Sequence, residues 1–381
     1  MDVRESIKNL IRDSLSSLGL EMTAEIHLER PANVEHGDWS TNIALALAKK
    51  AKSSPRDLAV QLATALESLP SSYVSRLEVA GPGFVNFYLN KSWLYEVLLQ
   101  AVNDGTENWA RSEEGSNKKV IVEFVSANPT GPLHAGHGRG ACYGDSVARI
   151  LERSGYLVAR EFYVNDRGTQ MNLFASSLAA CTAGENIPED GYHGAYIKEW
   201  AAEIPGDQDP LEWGKKRALS DQREVLRDLN IEFDSWFSET SLVDSGLIEK
   251  TLSMLAKANA SYEKDGATWL KSTEYGDDKD RVLVKSDGEY TYLLPDITYH
   301  LDKLTRAERL INVWGADHHG YITRMKAAIE SLGHEPERLE VEVTQMVNLQ
   351  RSGEEVKLSK RTGDIVEFSE VVKEVGWYQN F

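Results

Sequence analysis

Apolar residues recur every three or four positions at the start of the chain, at Val3, Ile7, Leu10, Ile11, Leu15 and Leu18, and Gly19 ends the run. That spacing predicts an amphipathic helix with a stop signal. The pattern returns between residues 42 and 69, with Ile43, Leu45, Leu47 and Ala48, then Leu58, Leu62 and Leu66, broken at Ser53-Ser54-Pro55. Short extended runs at 25–28 and 84–89 flank these helices. Helices around an antiparallel sheet predict a compact α+β domain of about 110 residues. Residues 113–119 are polar and read as a linker.

From Val120 the rhythm changes. A strand at 120–125, a helix at about 137–153 and a strand at 158–164 make a βαβ opening, the start of a parallel sheet. Helical stretches fill roughly 168–230, and 262–270 reads as a hairpin around Lys264-Asp265-Gly266. Strands at 281–285 and 290–294, a helix from Asp296, a strand at 310–314 and a helix from about 320 resume the alternation. The two halves of the sheet are therefore separated by a long insertion. Residues 366–376 read as a helix, and the chain then stops at Trp377-Tyr378-Gln379-Asn380-Phe381 without a polar tail, as though cut.

Composition narrows the class. With 381 residues, 41% apolar and 27% charged, the chain has the make-up of a globular enzyme with a well-buried core. No apolar run approaches the roughly 18–20 residues that span a bilayer. The N-terminus lacks the apolar core of a signal peptide. Cys142 and Cys181 stand apart with no zinc-like spacing, which fits a reducing cytoplasm. A net charge of −18 disfavours non-specific coating of nucleic acid but leaves room for local basic contacts.

The chemistry concentrates at 126–140, which reads Ser-Ala-Asn-Pro-Thr-Gly-Pro-Leu-His-Ala-Gly-His-Gly-Arg-Gly straight after the strand. A glycine-rich turn opening a helix leaves backbone N–H groups and room for a phosphate. His134 and His137 are placed to donate hydrogen bonds to charge developing on that phosphate. A second segment, Glu355-Val356-Lys357-Leu358-Ser359-Lys360-Arg361-Thr362-Gly363, sets two ammonium groups three residues apart. Alone it is equally a solvated basic loop; beside the first it suits the triphosphate of ATP and the leaving pyrophosphate.

Together the two segments resemble the paired "HIGH" and "KMSKS" signatures of class I aminoacyl-tRNA synthetases, with Ala135, Leu358 and Arg361 as variants. Residues 122–134, Tyr163-Val164-Asn165-Asp166-Arg167-Gly168, 262–270, 277–281 and Trp314-Gly315-Ala316-Asp317-His318-His319-Gly320-Tyr321 resemble the arginyl-tRNA synthetase form. The resemblance implies an α/β fold, a Rossmann-like parallel-sheet catalytic domain with insertions preceded by a small α+β domain. It implies boundaries of 1–115 for a tRNA-contacting domain, 116–370 for the catalytic domain (insertion about 168–280), and 371–381 for the stub of a C-terminal helical anticodon-binding domain.

The resemblance also assigns residues. Arginine contacts fall on Glu123, Ser126, Asn128, Tyr292 and Asp296, with Glu123 and Asn128 at the amino end and Tyr292 and Asp296 at the guanidinium. Carboxylates suit the five fixed donors of that group; read alone, Asp296 is equally a helix N-cap after Pro295. The ATP site takes Pro132, His134, Gly136, His137, Gly315, Asp317, His318, Met346, Val347, Lys357, Ser359 and Lys360, with 345–347 near the adenine. Catalysis falls to His134, His137, Lys357 and Lys360.

Magnesium is expected with ATP, held by phosphates and water. No zinc is expected, because His318-His319 lacks a third ligand at metal spacing, and no organic cofactor either. Partners implied are L-arginine, ATP and tRNA(Arg), with no membrane, for a monomer. Around Arg30-Pro31, His36–Trp39 and residues 81–86, aromatics could stack on an unpaired tRNA base, or Trp39, Phe84 and Phe87 could simply be core. The missing C-terminal domain predicts poor tRNA charging by retained ATP and arginine sites. Two alternatives stay open, a nucleotidyltransferase with a non-tRNA acceptor and a non-catalytic RNA-binding fragment.

Overall fold

The computed structural model describes residues 3–20, 25–318, 320–351, 354–356 and 366–375. The chain divides into two compact units, Met1–Ala110 and Arg111–Phe381.

In the first unit, α1 (Val3–Ser17) buries Val3, Ile7, Ile11 and Leu15, the face its spacing predicts. Two further helices follow β1 (Leu28–Glu29) and β2 (Trp39–Thr41): α2 (Ile43–Ala51) and α3 (Pro55–Glu67). Ser54 caps α3 by accepting from the Asp57 N–H at 3.1 Å, and Pro55 sits at the first turn, where its missing N–H costs nothing. Strands β3 (Val74–Ala80) and β4 (Phe84–Leu89) complete an antiparallel sheet of order β1-β2-β4-β3. Of the first predicted extended run, 25–28, only Leu28 pairs, and the strand goes on to Glu29 beyond it. Phe87 is fully buried beside Leu58, Leu62 and Val85, so it belongs to the core, whereas Trp39 and Phe84 are half-buried. The helix α4 (Ser92–Asn108), which the periodicity did not predict, ends the unit.

The second unit is built on a parallel sheet. In chain order it contains β5 (Lys119–Glu123), α5 (Ala135–Arg153), β6 (Leu157–Val164), α6 (Thr169–Ala183), α7 (Ala195–Glu203), α8 (Pro210–Asp228) and β7 (Ser235–Ser238). Next come α9 (Glu239–Asp244), α10 (Leu247–Lys257), β8 (Ser261–Lys264), β9 (Ala267–Leu270), β10 (Arg281–Val284), α11 (Leu293–Arg306), β11 (Arg309–Gly315), α12 (Tyr321–Ser331) and β12 (Leu339–Thr344). A ribbon, β13 (Leu349–Arg351) with β14 (Glu354–Val356), and α13 (Phe368–Val375) follow.

Among the described residues the main sheet has five strands in the order β12-β11-β5-β6-β7, all parallel. Strand order reverses between β5 and β11, and ligands of such sheets bind outside the carboxyl ends at that reversal. The central strand is covered on both faces, which explains why Val120, Ile121 and Val122 are consecutive apolar residues rather than alternating with polar ones. Val120, Val122 and Phe124 pack in one cluster with Ala141 and Ala148 of α5, and Ile121 packs in another with α11.

Helix α5 carries glycines that would ordinarily weaken a helix. Packing requires two of them. A Cβ on Gly144 would lie 2.2 Å from Phe124, and one on Gly138 would lie 2.5 Å from Phe368. The hairpin β8–β9 turns at Asp265 and Gly266, both at positive φ (53° and 73°), as a two-residue turn demands.

One prediction fails here. Residues 290–294 are not a strand: Tyr290 makes an isolated bridge to Val284, and α11 begins at Leu293, three residues before the predicted Asp296. Pro295 falls in the first turn of α11, where proline is tolerated. Asp296 is therefore not a helix cap.

Candidate active site

A cavity of about 210 Å³ opens at the carboxyl ends of β5, β6 and β11. Its acidic lining is Glu123 and Asp296; its flat walls are Tyr163, Tyr299, Trp314 and Tyr321; Ser126, Gly315 and His318 also line it. Two carboxylates within an aromatic box suit a small cationic ligand. Ligand pockets more often run from about 300 Å³ upward, so this one is sized for a small molecule.

The turn after β5 is strained. Val125 and Ser126 both have positive φ, 68° and 41°, which is rare for a β-branched residue. The turn bends Ser126 back, so that its Oγ donates to Glu123 Oε1 at 2.9 Å and accepts from the Tyr163 N–H at 3.2 Å.

Glu123 shares a sheet row with Asn312 on β11 and Glu161 on β6, and all three side chains are buried. Helix α11 satisfies this row. Lys303 Nζ donates to Glu123 Oε2 at 2.7 Å and to Asn312 Oδ1 at 2.9 Å. Tyr299 and Arg306 both donate to Glu161, Arg306 with two bonds of 2.8 and 2.9 Å. The His300 Nδ1–H donates to the Asp296 carbonyl at 2.7 Å, and its Nε2 accepts from Asn312 Nδ2 at 2.8 Å. Burial and the Lys303 charge hold His300 well below the usual imidazole range, consistent with that neutral tautomer. The network thus links the Glu123 carboxylate, through Lys303, Asn312 and His300, to the backbone carbonyl of Asp296, and both residues line the cavity.

Asp296 accepts from Tyr321 Oη at 2.6 Å. Burial pushes its carboxyl up to about 7; the Tyr321 hydrogen bond and Lys303 oppose the rise, and the Glu123 and Glu239 charges add to it. A bound cation favours the carboxylate, so binding releases a proton when Asp296 starts protonated. Affinity for a small cationic ligand is then expected to be flat above pH 7 and to fall about tenfold per unit below it. Calorimetric titration of a small guanidinium compound from pH 5.5 to 8 checks this, and a flat profile would contradict it.

His134 and His137 form a reciprocal cap at the start of α5. The Gly136 N–H donates to His134 Nδ1 at 3.1 Å, and the His134 N–H donates to His137 Nδ1 at 3.2 Å, with ring centroids 3.8 Å apart. An imidazole whose Nδ1 accepts carries its proton on Nε2, so both rings present Nε2–H donors at a positive helix end. Because β5, β11 and β12 lie side by side and parallel, the segments that leave them, residues 124–134, Ala316–His318 and 345–347, all start from the sheet's carboxyl edge.

The other predicted residues scatter more widely. Asn128 bonds Gln170, and its carbonyl accepts from Gln222 Nε2 at 3.1 Å; it does not line the cavity. Tyr292 is 76% exposed ahead of α11, also outside the cavity lining. Pro132 is buried in the turn, Gly136 is half-buried in the first turn of α5, and Met346 is 63% exposed with Val347 beside it. Asp317 occupies the turn after β11. Its side chain, with Lys357, Ser359 and Lys360, lies outside the described residues.

Sequence reasoning missed Lys303, Asn312, His300, Tyr299 and Tyr321 as parts of the site. Among the described residues, no group of three or more His, Cys, Asp or Glu side chains could hold a metal ion, and no helix is long and apolar enough to cross a membrane.

Comparison with known proteins finds relatives along both units. Residues 5–89 match the family described as the arginyl-tRNA synthetase N-terminal domain, and residues 98–190 and 208–376 match the class I (R) tRNA synthetase catalytic domain. The chain is 47% identical over 397 residues to the arginine–tRNA ligase of Bacillus licheniformis, covering 98% of this chain and 71% of that protein. It is 48% identical over 397 residues to that of Geobacillus kaustophilus, with the same coverage. The crystal structure of the Thermus thermophilus arginyl-tRNA synthetase superposes with a TM-score of 0.69 at 22% identity, over 98% of this chain and 69% of that one. At that identity the superposition speaks for the fold.

Proposed function

The chain belongs to the arginyl-tRNA synthetase family, and on that footing we propose how its own residues share the work of an arginine–tRNA ligase. The reaction has two steps. An oxygen of arginine's carboxylate bonds to the ATP α-phosphorus as the bond to pyrophosphate breaks, giving arginyl-adenylate. The terminal ribose hydroxyl of tRNA then attacks the activated carbonyl, and AMP leaves.

The observation that carries the residue assignment is the aromatic cavity with Glu123 and Asp296, placed where strand order reverses. Asp296 takes the guanidinium and Glu123 takes the α-amino group, with Asn128 and Tyr292 moving in as the substrate seats. Lys303 orients Glu123 through its 2.7 Å contact rather than touching substrate. The Nε2–H groups of His134 and His137, with the helix end behind them, stabilise charge on the α-phosphate. Gly315, Asp317 and His318 hold the ribose side, and Met346 and Val347 the adenine.

Lys357 and Lys360 clamp the leaving pyrophosphate. ATP-using synthetases generally need magnesium, which would neutralise phosphate charge and be held mainly by phosphate and water oxygens; the steps above rest on the chain's own groups. In the N-terminal unit, the guanidinium of exposed Arg30 lies over half-buried Trp39 at 5.2 Å, and we assign tRNA contact to this pair rather than to the buried Phe87. Action as a monomer in the cytoplasm belongs to the same proposal.

The test is ATP–pyrophosphate exchange with each standard amino acid, with and without tRNA(Arg). Exchange with arginine alone supports the assignment. Exchange with another amino acid, or with none while ATP binds, would overturn it.

A further inference from the structure

The helix that begins at the two histidines also contacts the segment that follows β12. Arg139, one turn into α5, donates from Nη1 to the carbonyls of Gln345 at 2.9 Å and Met346 at 3.3 Å. One turn further along the same face, Tyr143 Oη donates to Glu342 Oε2 at 2.9 Å, on β12. Residues 345–348 have just left the sheet, so their carbonyls have no ladder partner there and are open to water or to a side chain. A planar guanidinium can serve adjacent carbonyls from a single side chain, which an ammonium does less well.

The sheet places β12 two strands from β5, with β11 between them. Arg139 therefore fastens the exit of the edge strand directly to the helix that leaves the central strand. The two ends of a bound adenine nucleotide would lie against these two elements.

We propose that Arg139 is a positioning residue for ATP, fixing the adenine-side segment 345–347 at a set distance from the helix end that receives the phosphates, with Tyr143 as a second, weaker tether. The inference rests on the reading that 345–347 faces adenine, so the experiment separates the two. Its chemical signature is selective: the adenosine half of the ligand should feel the loss of Arg139, and the phosphate half should not.

Calorimetry with ATP, AMP, tripolyphosphate and arginine, on the full chain and on Arg139→Met, Arg139→Lys, Tyr143→Phe and Val347→Asp, decides it. Arg139→Met is expected to weaken ATP and AMP about tenfold, the order of one lost charge-assisted hydrogen bond, with tripolyphosphate and arginine changed less than about twofold. Arg139→Lys should recover part of that loss, and Tyr143→Phe should show a smaller loss of the same kind. Equal loss of tripolyphosphate and AMP binding would mean Arg139 meets the phosphates itself, and the positioning role would be wrong. Normal AMP binding by Arg139→Met beside impaired binding by Val347→Asp would overturn the positioning role alone. Normal AMP binding by Val347→Asp would remove the adenine placement on which it rests. Should Arg139→Met fail to fold, Tyr143→Phe carries the same selective test without removing a charge.

Discussion

Replacing His137 by alanine is expected to slow arginine-dependent ATP–pyrophosphate exchange by about 10²–10³-fold, the scale of one lost transition-state donor. His137 accepts the His134 N–H through Nδ1, which puts its proton on Nε2 and makes it a donor at the end of α5. The same side chain caps the helix, so alanine also removes a cap worth about 1 kcal/mol of stability. Asparagine at 137 separates the two roles. Its carbonyl can accept the backbone N–H and retain the cap, yet its amide does not reach as an imidazole does. His137→Asn should therefore recover the melting temperature without recovering exchange, and arginine affinity should stay near that of the parent in both variants. Restored exchange in the asparagine variant would assign the residue to folding alone. Unchanged exchange in the alanine variant would remove it from the chemistry.

How far the site was legible in the sequence follows from what each signal depends on. The turn from β5 into α5 was readable because it is local: an apolar run, then glycines, then two histidines at helix spacing. The hairpin at Asp265-Gly266 was readable for the same reason, since its turn chemistry lies in adjacent residues. Lys303 was not. Its partner Glu123 lies 180 positions away, and a single lysine within a helical stretch looks like a solvated side chain until the sheet row beneath it is known. The start of α11 was misread because the alternation at 290–294 imitates a strand, although Pro295 was a usable sign of a helix's first turn. Tyr321 is named within a signature, but nothing local says that its hydroxyl would settle on Asp296.

Lys303→Met carries the largest expected cost in stability, about 3–5 kcal/mol, because it strands a buried carboxylate rather than merely removing a contact. Lys303 is fully buried, and its Nζ serves Glu123, Asn312 and the face of Tyr299, whose ring centroid is 4.3 Å away. With the ammonium gone, Glu123 keeps, among the described residues, only the Ser126 hydroxyl on Oε1, at 6% exposure and in the same sheet row as Glu161. Methionine has nearly the volume of the lysine stem, so packing changes little and the loss reports charge. Urea denaturation of Lys303→Met, Glu123→Gln and the double variant forms the cycle. The double variant should recover most of the stability that Lys303→Met loses, since a neutral amide no longer needs the cation. It should not recover arginine affinity, because the carboxylate assigned to the substrate's amino group is absent from it. A Lys303→Met variant within about 1 kcal/mol of the parent would show that Glu123 finds another partner, against the burial seen here. Recovery of both stability and arginine affinity in the double variant would move the amino-end contact away from Glu123, leaving Asp296 as the carboxylate that reads the substrate.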